Sequence, residues 1–449
     1  MRARTVTAAG LTVTRTPATS VCTQCLRDDP VLTQNIVQSR KYHPTRRRNV
    51  SPFGAAVSAA QAVFKGMPKA PPGISVDPLR IVGKELKFLT KNIRQLLGSG
   101  HPALDKVAKY YTRSEGKHMR PLLVLLMSQA TALDPRKQTS NSAAPSPVDN
   151  PLSAPSILDD TNPDVNPLVS RSADGQYDFA GDDNILPSQR RLAEITELIH
   201  TASLLHDDVI DNAVTRRANS SANLAFGNKM AVLAGDFLLG RASVALARLR
   251  DPEVTELMAT VIANLVEGEF MQLKNTAQDE SNPSFTDEAL TYYLQKTYLK
   301  TASLISKSCR SAAVLGHSAP EVVEAAYAYG RNLGLAFQLV DDMLDYTVTE
   351  AELGKPAGAD LELGLATAPL LFAWKRNPEL GPLVGRKFRE EGDVQRAREL
   401  VYRSDGVEQT RVLAQEYADK AVAAISEFPD GEAKSGLIEM CEKTMRRRK

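Results

Sequence analysis

The sequence predicts an all-α protein, and three observations lead to that class. Apolar residues recur three and four positions apart across residues 81–133, which is the spacing of a helix that packs one face on a core. Two long stretches, 188–251 and 321–355, contain no proline and can therefore hold uninterrupted helices. No stretch of useful length alternates between apolar and polar residues as a half-buried strand does. We expect one large catalytic domain of many helices.

The bulk composition is ordinary for a globular chain: 449 residues, 43% hydrophobic and 24% charged, with a formal net charge of +2. So small a charge gives no general attraction to nucleic acid, and we expect no nucleic-acid partner. No run of about 18 apolar residues, the length of a spanning helix, is predicted. The four cysteines are too few for a disulfide framework in so long a chain. Cys22 and Cys25 lack the further ligands that zinc needs.

The chain divides into a leader and a catalytic domain that carries an insertion. Residues 1–50 are rich in Arg, Ser and Thr and nearly free of acids, which is typical of a mitochondrial transit peptide; a basic disordered tail is the alternative. The catalytic domain is expected at 75–449. Residues 135–187 hold eight of the 26 prolines, so we expect a disordered insertion there. Its acids receive no site because no helix aligns them: Asp159, Asp160, Asp164, Asp182 and Asp183.

The first candidate site is a group of acids that ends an apolar helical stretch. Asp207 and Asp211 lie four residues apart, so a helix places them on one face, with Asp208 beside them. Carboxylates this close repel each other strongly once they lose water, and a cation relieves the repulsion. Magnesium suits such a group because it commonly pairs one or two carboxylates with substrate phosphates. The sequence therefore predicts a Mg²⁺ site at this helix end.

A second group of acids repeats this spacing after another apolar helical run: Asp341, Asp342 and Asp345. One such group could equally be a solvated helix face. Two of them indicate facing helices whose carboxylates hold one polyanion from opposite sides. Basic residues suited to phosphate binding accompany both groups: Lys117, Arg120, Arg216, Arg217, Lys300 and Lys355.

These residues lie within a set of motifs, namely GKHMRP, ELIHTASLLHDDVIDNAVTRR, AGDFLLGRA, LKTA, GLAFQLVDDMLDY and GKPAGADLELGLATAP. With them, the chain from Ile81 to its C-terminus, apart from 135–187, closely resembles trans-prenyl diphosphate synthases, and most of all the mitochondrial synthases of the ubiquinone side chain. The resemblance implies a single large helical bundle of the isoprenoid synthase type with a central active-site cavity. It also implies a Mg²⁺-dependent transferase that condenses several isopentenyl diphosphates onto an allylic diphosphate. The product would be a long all-trans-polyprenyl diphosphate, between hexaprenyl and decaprenyl.

The resemblance further implies a role for each matching residue. The chief magnesium ligands would be Asp207, Asp211 and Asp341, supported by Asp208, Asp342 and Asp345. The diphosphate of isopentenyl diphosphate would be bound by Lys117, Arg120, His200 and Arg217. The allylic diphosphate would be bound by Arg216, Lys300 and Lys355, with Thr301 and Gln338 beside the reacting carbon.

Two positions depart from the family's pattern. His118 stands where many relatives have an Arg, and Leu365 stands where bacterial relatives often have a Lys that contacts the allylic diphosphate. Product length should depend on the floor of an apolar tunnel along the helix before Asp207, which farnesyl-type relatives tend to block with an aromatic residue. The small residues Ala202 and Ser203 occupy those positions here, so we expect a product longer than geranylgeranyl diphosphate.

The resemblance implies a homodimer, with a hetero-oligomer as the alternative, in the mitochondrial matrix. The apolar product suggests peripheral contact with the inner membrane. Two other functions stay open. A class I terpene cyclase also ionises allylic diphosphates with Asp-rich helices, but it needs no site for a second diphosphate. A regulatory subunit of a heteromeric synthase would usually lack intact acid groups, and both groups are intact in this sequence.

Overall fold

A computed structural model describes residues 77–111, 118–135, 148, 182–216, 219–273, 283–347 and 358–447. All of them belong to one compact unit, Ile74–Lys449. The regular structure in these residues is almost entirely helical, which confirms the predicted all-α class. The leader predicted at 1–50, and most of the insertion predicted at 135–187, lie outside the described residues.

The described helices fall into an N-terminal and a C-terminal series. The first series is α1 Pro78–Ile81, α2 Gly83–Leu96, α3 Pro102–Ala108, α4 Met119–Ala132, α5 Pro187–Ile210, α6 Ala222–Phe226, α7 Asn228–Leu249 and α8 Pro252–Leu273. The second series is α9 Asp287–Thr297, α10 Ser303–Leu315, α11 Pro320–Thr347, α12 Ala359–Glu362, α13 Ala368–Trp374, α14 Leu380–Gly385, α15 Asp393–Arg403, α16 Gly406–Ala424 and α17 Glu432–Met445. A five-residue π-helix, Tyr298–Ala302, joins α9 to α10.

Within the described residues, one short antiparallel ribbon interrupts the helices. Strand β1 (Thr215–Arg216) pairs with β2 (Asn219–Ser220), with Thr215 opposite Ser220. The ribbon follows α5 closely and therefore turns the chain back beside the first group of acids. The sequence analysis did not predict it, because strands of two residues are too short to show alternation.

Helices α4 and α5 form the centre of the larger core. Every residue of α4 from Leu122 to Met127 is buried, as expected of a helix that is apolar on all sides. The buried residues of α5 include Leu192, Ile195 and Leu198. Around this centre, α5 packs on α7, and α10 packs on α11. This arrangement fixes the C-terminal end of α5, where the first group of acids lies.

The C-terminal end of α11 rests on a second, smaller core. Leu339 and Leu344 of α11 pack there with residues of the later helices, among them Trp374, Leu380 and Val401. Helix α11 has 28 residues, so it extends from the larger core into the smaller one. The second group of acids is thus supported by a different set of side chains from the first.

Among the described helices, α7 alone has the length and apolar composition of a membrane span. Asp236 and Arg241 interrupt its apolar residues, so the sequence predicts no run of about 18 apolar residues there. One face of α7 is buried against α5, with Ala231, Ala234 and Leu238 fully covered. Helix α7 therefore packs one face on the bundle and leaves the other exposed.

The last residues of the predicted insertion, 182–187, are held by specific contacts. The backbone N–H of Asp182 donates to Glu85 Oε1 at 2.8 Å, and Gln129 Nε2 donates to Asp182 Oδ2 at 2.6 Å. Pro187 is the first residue of α5. Asp182 lies five residues before α5 and is bonded to α2 and α4. These contacts therefore help to fix the position where α5 begins.

Candidate active site

The first group of acids occupies the last turn of α5. Asp211 is the C-cap residue, and its backbone N–H donates to the carbonyl of Asp207 at 2.8 Å. The helical turn therefore places Asp207 and Asp211 on one face, as predicted. Asp207 and Asp211 are partly buried, whereas Asp208 is fully buried.

Asp208 is directed into the protein and both of its carboxylate oxygens are occupied. Arg216 Nε donates to Oδ1 at 2.6 Å, Arg216 Nη2 forms an ion pair with the same oxygen at 2.5 Å, and the Tyr111 hydroxyl donates to Oδ2. The same hydroxyl accepts a hydrogen bond from the backbone N–H of Ala222 at 2.7 Å. Asp208 therefore ties the end of α5 to the ribbon and to α6, and Arg216, expected to bind the allylic diphosphate, is paired with it.

The second group of acids, on α11, likewise contains both buried and accessible carboxylates. Asp342 is buried, and it accepts hydrogen bonds from the Tyr293 hydroxyl at 2.5 Å and from Gln338 Nε2 at 2.8 Å. Asp345 is also buried and accepts from the backbone N–H of Asp360 at 3.3 Å. Asp341 differs, because 39% of its side chain is exposed.

Within the two groups of acids, Asp207, Asp211 and Asp341 are thus the aspartates with accessible carboxylates. In the described part of the chain, no side chain or backbone group donates a hydrogen bond to the carboxylates of Asp207 or Asp211. The pKa of Asp207 is raised to about 6, mainly by burial and also by the charges of Glu269 and Asp211, although the Lys300 charge lowers it. Burial also raises the pKa of Asp211. These carboxylates carry negative charge at an electrostatic cost that a bound cation would remove.

The accessible carboxylates fit a magnesium ion that also binds substrate. The described residues contain no group of three acidic, His or Cys side chains close enough to hold a metal without other ligands. Magnesium, however, takes oxygen ligands, keeps several waters and usually shares one or two carboxylates with phosphate oxygens. The two acid groups match this coordination, because they offer accessible carboxylate oxygens. The remaining coordination positions would be filled by water and diphosphate.

Lys300 and Thr301 lie in the π-helix. The ammonium of Lys300 donates to Glu269 Oε2 at 2.5 Å and to Gln272 Oε1 at 3.0 Å. Thr301 Oγ1 donates to Gln338 Oε1 at 2.9 Å, and Gln338 in turn donates to Asp342. Since the charge of Lys300 also acts on Asp207, this turn links the two groups of acids. Short π-helical turns are frequent at functional sites.

Two glycines allow neighbouring helices to approach this π-helix closely. A Cβ added to Gly268 of α8 would lie 3.0 Å from the backbone nitrogen of Lys300, and one added to Gly334 of α11 would lie 2.6 Å from the Cα of Ala302. Any other residue would push the helices apart or displace the turn. The positions of Lys300 and Thr301 therefore depend on these glycines.

A separate group of basic and imidazole side chains lies where α4 faces α5. Arg120 Nη1 lies 2.9 Å from His200 Nε2. His118 Nδ1 lies 3.2 Å from Glu197 Oε1, and the backbone of His118 is left-handed, with φ 37°. The structure therefore brings Arg120 and His200 together, as a shared diphosphate site requires. Three predicted substrate ligands, Lys117, Arg217 and Lys355, lie outside the described residues.

The sequence analysis missed several residues of this site. Glu269 and Gln272 lie on α8, one turn apart, and the motif GEFMQ that contains them carries no cluster to draw attention to it. Arg447, near the C-terminus, places its Nη1 3.2 Å from Asp341 Oδ1 and its Cζ 4.5 Å from the centroid of the Phe337 ring. No sequence signal relates Arg447 to Asp341, because they are brought together by the packing of α17.

An all-α bundle with two Asp-rich helix ends, linked through a Lys–Thr turn, is the architecture of an isoprenoid synthase. Family comparison agrees: the polyprenyl synthetase model matches residues 168–401. The chain belongs to the polyprenyl synthetase family and is a prenyltransferase.

Individual relatives agree with this assignment. The chain is 66% identical over 427 residues to a probable mitochondrial hexaprenyl pyrophosphate synthase of Neurospora crassa, and the match covers 93% of each chain. It is 46% identical to the mitochondrial hexaprenyl pyrophosphate synthase of Saccharomyces cerevisiae, with 90% of this chain and 96% of that one covered. A polyprenyl synthase from Caulobacter crescentus, solved with calcium and isoprenyl diphosphate, superposes with a TM-score of 0.66 at 29% identity, covering 85% of this chain and all of the other.

Proposed function

We propose that this enzyme adds several isopentenyl diphosphates to an allylic diphosphate and so makes the long all-trans-polyprenyl diphosphate of the ubiquinone side chain. The observation that carries the proposal is the link from Asp207 through Lys300 and Thr301 to Gln338 and Asp342. It joins two acid-rich helix ends across one site. The names of the fungal relatives, both mitochondrial hexaprenyl pyrophosphate synthases, support the long product and a mitochondrial location.

Asp207, Asp211 and Asp341 would hold magnesium in this site. When bound, magnesium would neutralise the charge that develops on the leaving diphosphate. Lys300 lies beside the first group of acids and would donate to the same diphosphate, so its ammonium would also stabilise that charge. Thr301 and Gln338 form a neutral hydrogen-bonded pair next to Lys300, where they would flank the reacting carbon without trapping it.

The reaction then follows from the substrates. The allylic C–O bond breaks, and its electron pair leaves with the diphosphate. The double bond of isopentenyl diphosphate supplies the electrons of the new C–C bond, and a proton lost from the adjacent carbon passes to the departing diphosphate. The product is an allylic diphosphate longer by one isoprene unit. The protein must exclude water during these steps, because water would capture the allylic cation.

The second diphosphate would bind at the α4–α5 contact. Arg120 and His200 are adjacent there, and Arg120 can bind phosphate with its planar guanidinium. Lys117 and Arg217 would complete this site according to the family resemblance. Separate sites for two diphosphates are what distinguish a chain-elongating transferase from a terpene cyclase.

Product length would be set by the residues that precede Asp207 on α5. Ala202 is fully buried and Ser203 partly buried, and the Ser203 hydroxyl donates to the carbonyl of His200 at 2.9 Å. The hydroxyl is thereby hydrogen-bonded within its own helix. Two small residues leave room for a growing chain where an aromatic ring would block it.

Incubation of the purified chain alone with farnesyl diphosphate, isopentenyl diphosphate and Mg²⁺ tests the proposal. The expected product is longer than four isoprene units, and chromatography against polyprenol standards measures it. Elongation that stops at four units would overturn the proposed product. Release of diphosphate without isopentenyl diphosphate would indicate a cyclase, and the absence of turnover without a second subunit would indicate a hetero-oligomer.

The enzyme is proposed to work as a homodimer in the mitochondrial matrix. Helices α7 and α8 leave large apolar side chains exposed, among them Leu233 at 58%, Val266 at 53% and Phe270 at 61%. Exposed apolar residues on neighbouring helices suit an interface with a second copy of the chain. A long polyprenyl product is apolar, so peripheral contact with the inner membrane would ease its release.

A further inference from the structure

Lys296, one turn before Lys300, carries a charge that no contacting group neutralises. It lies in the last turn of α9, its side chain is partly buried, and its Nζ is 5.5 Å from the centroid of the Tyr293 ring. No carboxylate of the described residues lies within ion-pair distance of this nitrogen. Lys300 differs, because Glu269 and Gln272 hold its ammonium directly.

The ammonium of Lys296 has lost water without gaining a contacting counter-ion. Burial lowers the pKa of Lys296, and the nearby Lys300 charge lowers it further, while Asp342 and Asp360 oppose both effects without contact. The carboxylate of Asp342 is engaged by Tyr293 and Gln338. A cation that has lost water without gaining a counter-ion is costly. An anion that arrives beside Lys296 would remove that cost.

Lys296 lines a small cavity of about 40 Å³ together with Gln272, Tyr293, Leu365 and Ala366. Lys296 is the one charged residue among the described side chains that line it. Gln272 contacts both this cavity and the ammonium of Lys300, so the cavity adjoins the Lys300 site.

We propose that Lys296 is a second diphosphate-binding cation, which contacts the allylic diphosphate from the cavity while Lys300 contacts it from the side of Asp207. This inference rests on the function proposed above. Lys296 and Lys300 are four residues apart, and residues at that spacing project from one face of a helix. Two ammonium groups in this arrangement suit the two phosphate groups of one ligand.

Calorimetric binding of a non-reactive thiodiphosphate analogue of farnesyl diphosphate, with Mg²⁺ present, tests the assignment. Lys296→Met keeps the bulk of the side chain and removes its charge, and we expect the Kd to rise about ten- to a hundredfold, as for a lost charge-assisted hydrogen bond. Lys296→Arg should retain most of the affinity. The melting temperature of the Met variant should not fall, because a poorly solvated charge has been removed.

Lys307 provides the matched control. Lys307 is a buried lysine whose pKa, like that of Lys296, is lowered by burial, but it lies on α10 and does not line the cavity. Lys307→Met should therefore bind the analogue as the unmodified enzyme does. If Lys296 only packs its aliphatic stem on Tyr293, Lys296→Met should also bind the analogue as the unmodified enzyme does. That result would overturn the proposal.

Two further measurements separate this inference from the proposed function. Lys300→Met should weaken analogue binding; unchanged binding in both the Lys300 and Lys296 variants would show that the diphosphate site itself is misplaced. Unchanged binding in Lys296→Met alone would refute the role of Lys296 and leave the proposed function intact. Weaker binding of isopentenyl diphosphate, with the analogue unaffected, would likewise contradict the assignment to the allylic diphosphate.

Discussion

Arg216 holds a single carboxylate oxygen of Asp208 by a hydrogen bond from Nε at 2.6 Å and an ion-pair contact from Nη2 at 2.5 Å, while the Tyr111 hydroxyl donates to the other oxygen. Asp208 lies directly between the residues expected to bind metal, yet it is the one aspartate of its group that is fully buried. Its neighbours come from before and after α5 in the sequence. We conclude that Asp208 holds the end of α5 in place, so that Asp207 and Asp211 can present their carboxylates to a ligand.

Replacing Asp208 and Asp207 with Ala should therefore give opposite results. Asp208→Ala leaves a partly buried guanidinium without its partner and should reduce the free energy of unfolding by about 3 kcal/mol. Asp207→Ala should abolish turnover without loss of stability. Urea unfolding and product formation measure the two effects. The exposed Asp183 is the control, since Asp183→Ala should change neither; full activity of Asp207→Ala would contradict its catalytic assignment.

The stability of the metal-free enzyme should fall as pH rises from about 4 to 6. The pKa of Asp207 is raised to about 6 in the folded protein, so the folded state retains a proton that the unfolded state releases in this window. The cost above pH 6 is at most about 3 kcal/mol. Asp207→Asn should remove this part of the pH dependence, and Mg²⁺ at pH 7.5 should stabilise the unmodified enzyme more than the variant. Parallel pH profiles of the two proteins, from thermal unfolding, would show the prediction to be wrong.

Gly334→Ala should impair both folding and catalysis, because the added Cβ would lie 2.6 Å from the backbone of Ala302. We expect a loss of about 1 to 3 kcal/mol from overpacking, together with a larger fall in kcat as Lys300 and Thr301 shift. Thermal unfolding and steady-state kinetics test this. Gly83→Ala is the control, because nothing lies within 4 Å of the added atom. Equal behaviour of the two variants would mean that the glycine contact does not position the π-helix.

Ser203→Phe should shorten the polyprenyl product. A ring at this position would fill the space that the small side chain leaves on α5, so elongation should stop several isoprene units earlier while the first condensation proceeds. Chain-length analysis of the products measures the change. Ser435→Phe introduces the same ring at an exposed position of α17 and should leave the product distribution unchanged. Products of unaltered length from Ser203→Phe would place the tunnel elsewhere.

Charged substitutions on the exposed face of α7 and α8 should dissociate the proposed homodimer. Leu233 and Phe270 are more than half exposed, and an Asp at either position would be costly to bury in an interface. Light scattering after gel filtration should show a monomer for Leu233→Asp and Phe270→Asp. Tyr402 is 86% exposed on α15, so Tyr402→Asp is the control. A dimer that survives both substitutions would exclude this surface as the interface.

Much of the fold and the main residues of the site could be predicted because their signals are local. Helical spacing of apolar residues identified the all-α class, and the three- and four-residue spacing within each acid group placed Asp207 and Asp211 on one face. The two-stranded ribbon gave no signal because it is too short. Glu269 was missed for a different reason: its importance comes from contact with Lys300, which is 31 residues away.

The sequence by itself determined that two helices end in carboxylates at a spacing suited to magnesium, since helix geometry follows from local order. Which carboxylates are accessible was decided by the tertiary structure. Asp208 and Asp342 have the same residue type and lie in the same motifs as their accessible neighbours, but Tyr111, Arg216 and Tyr293 enclose them. Burial and hydrogen bonding depend on side chains that only folding brings together, so identical aspartates became either supports of the helix ends or candidate metal ligands.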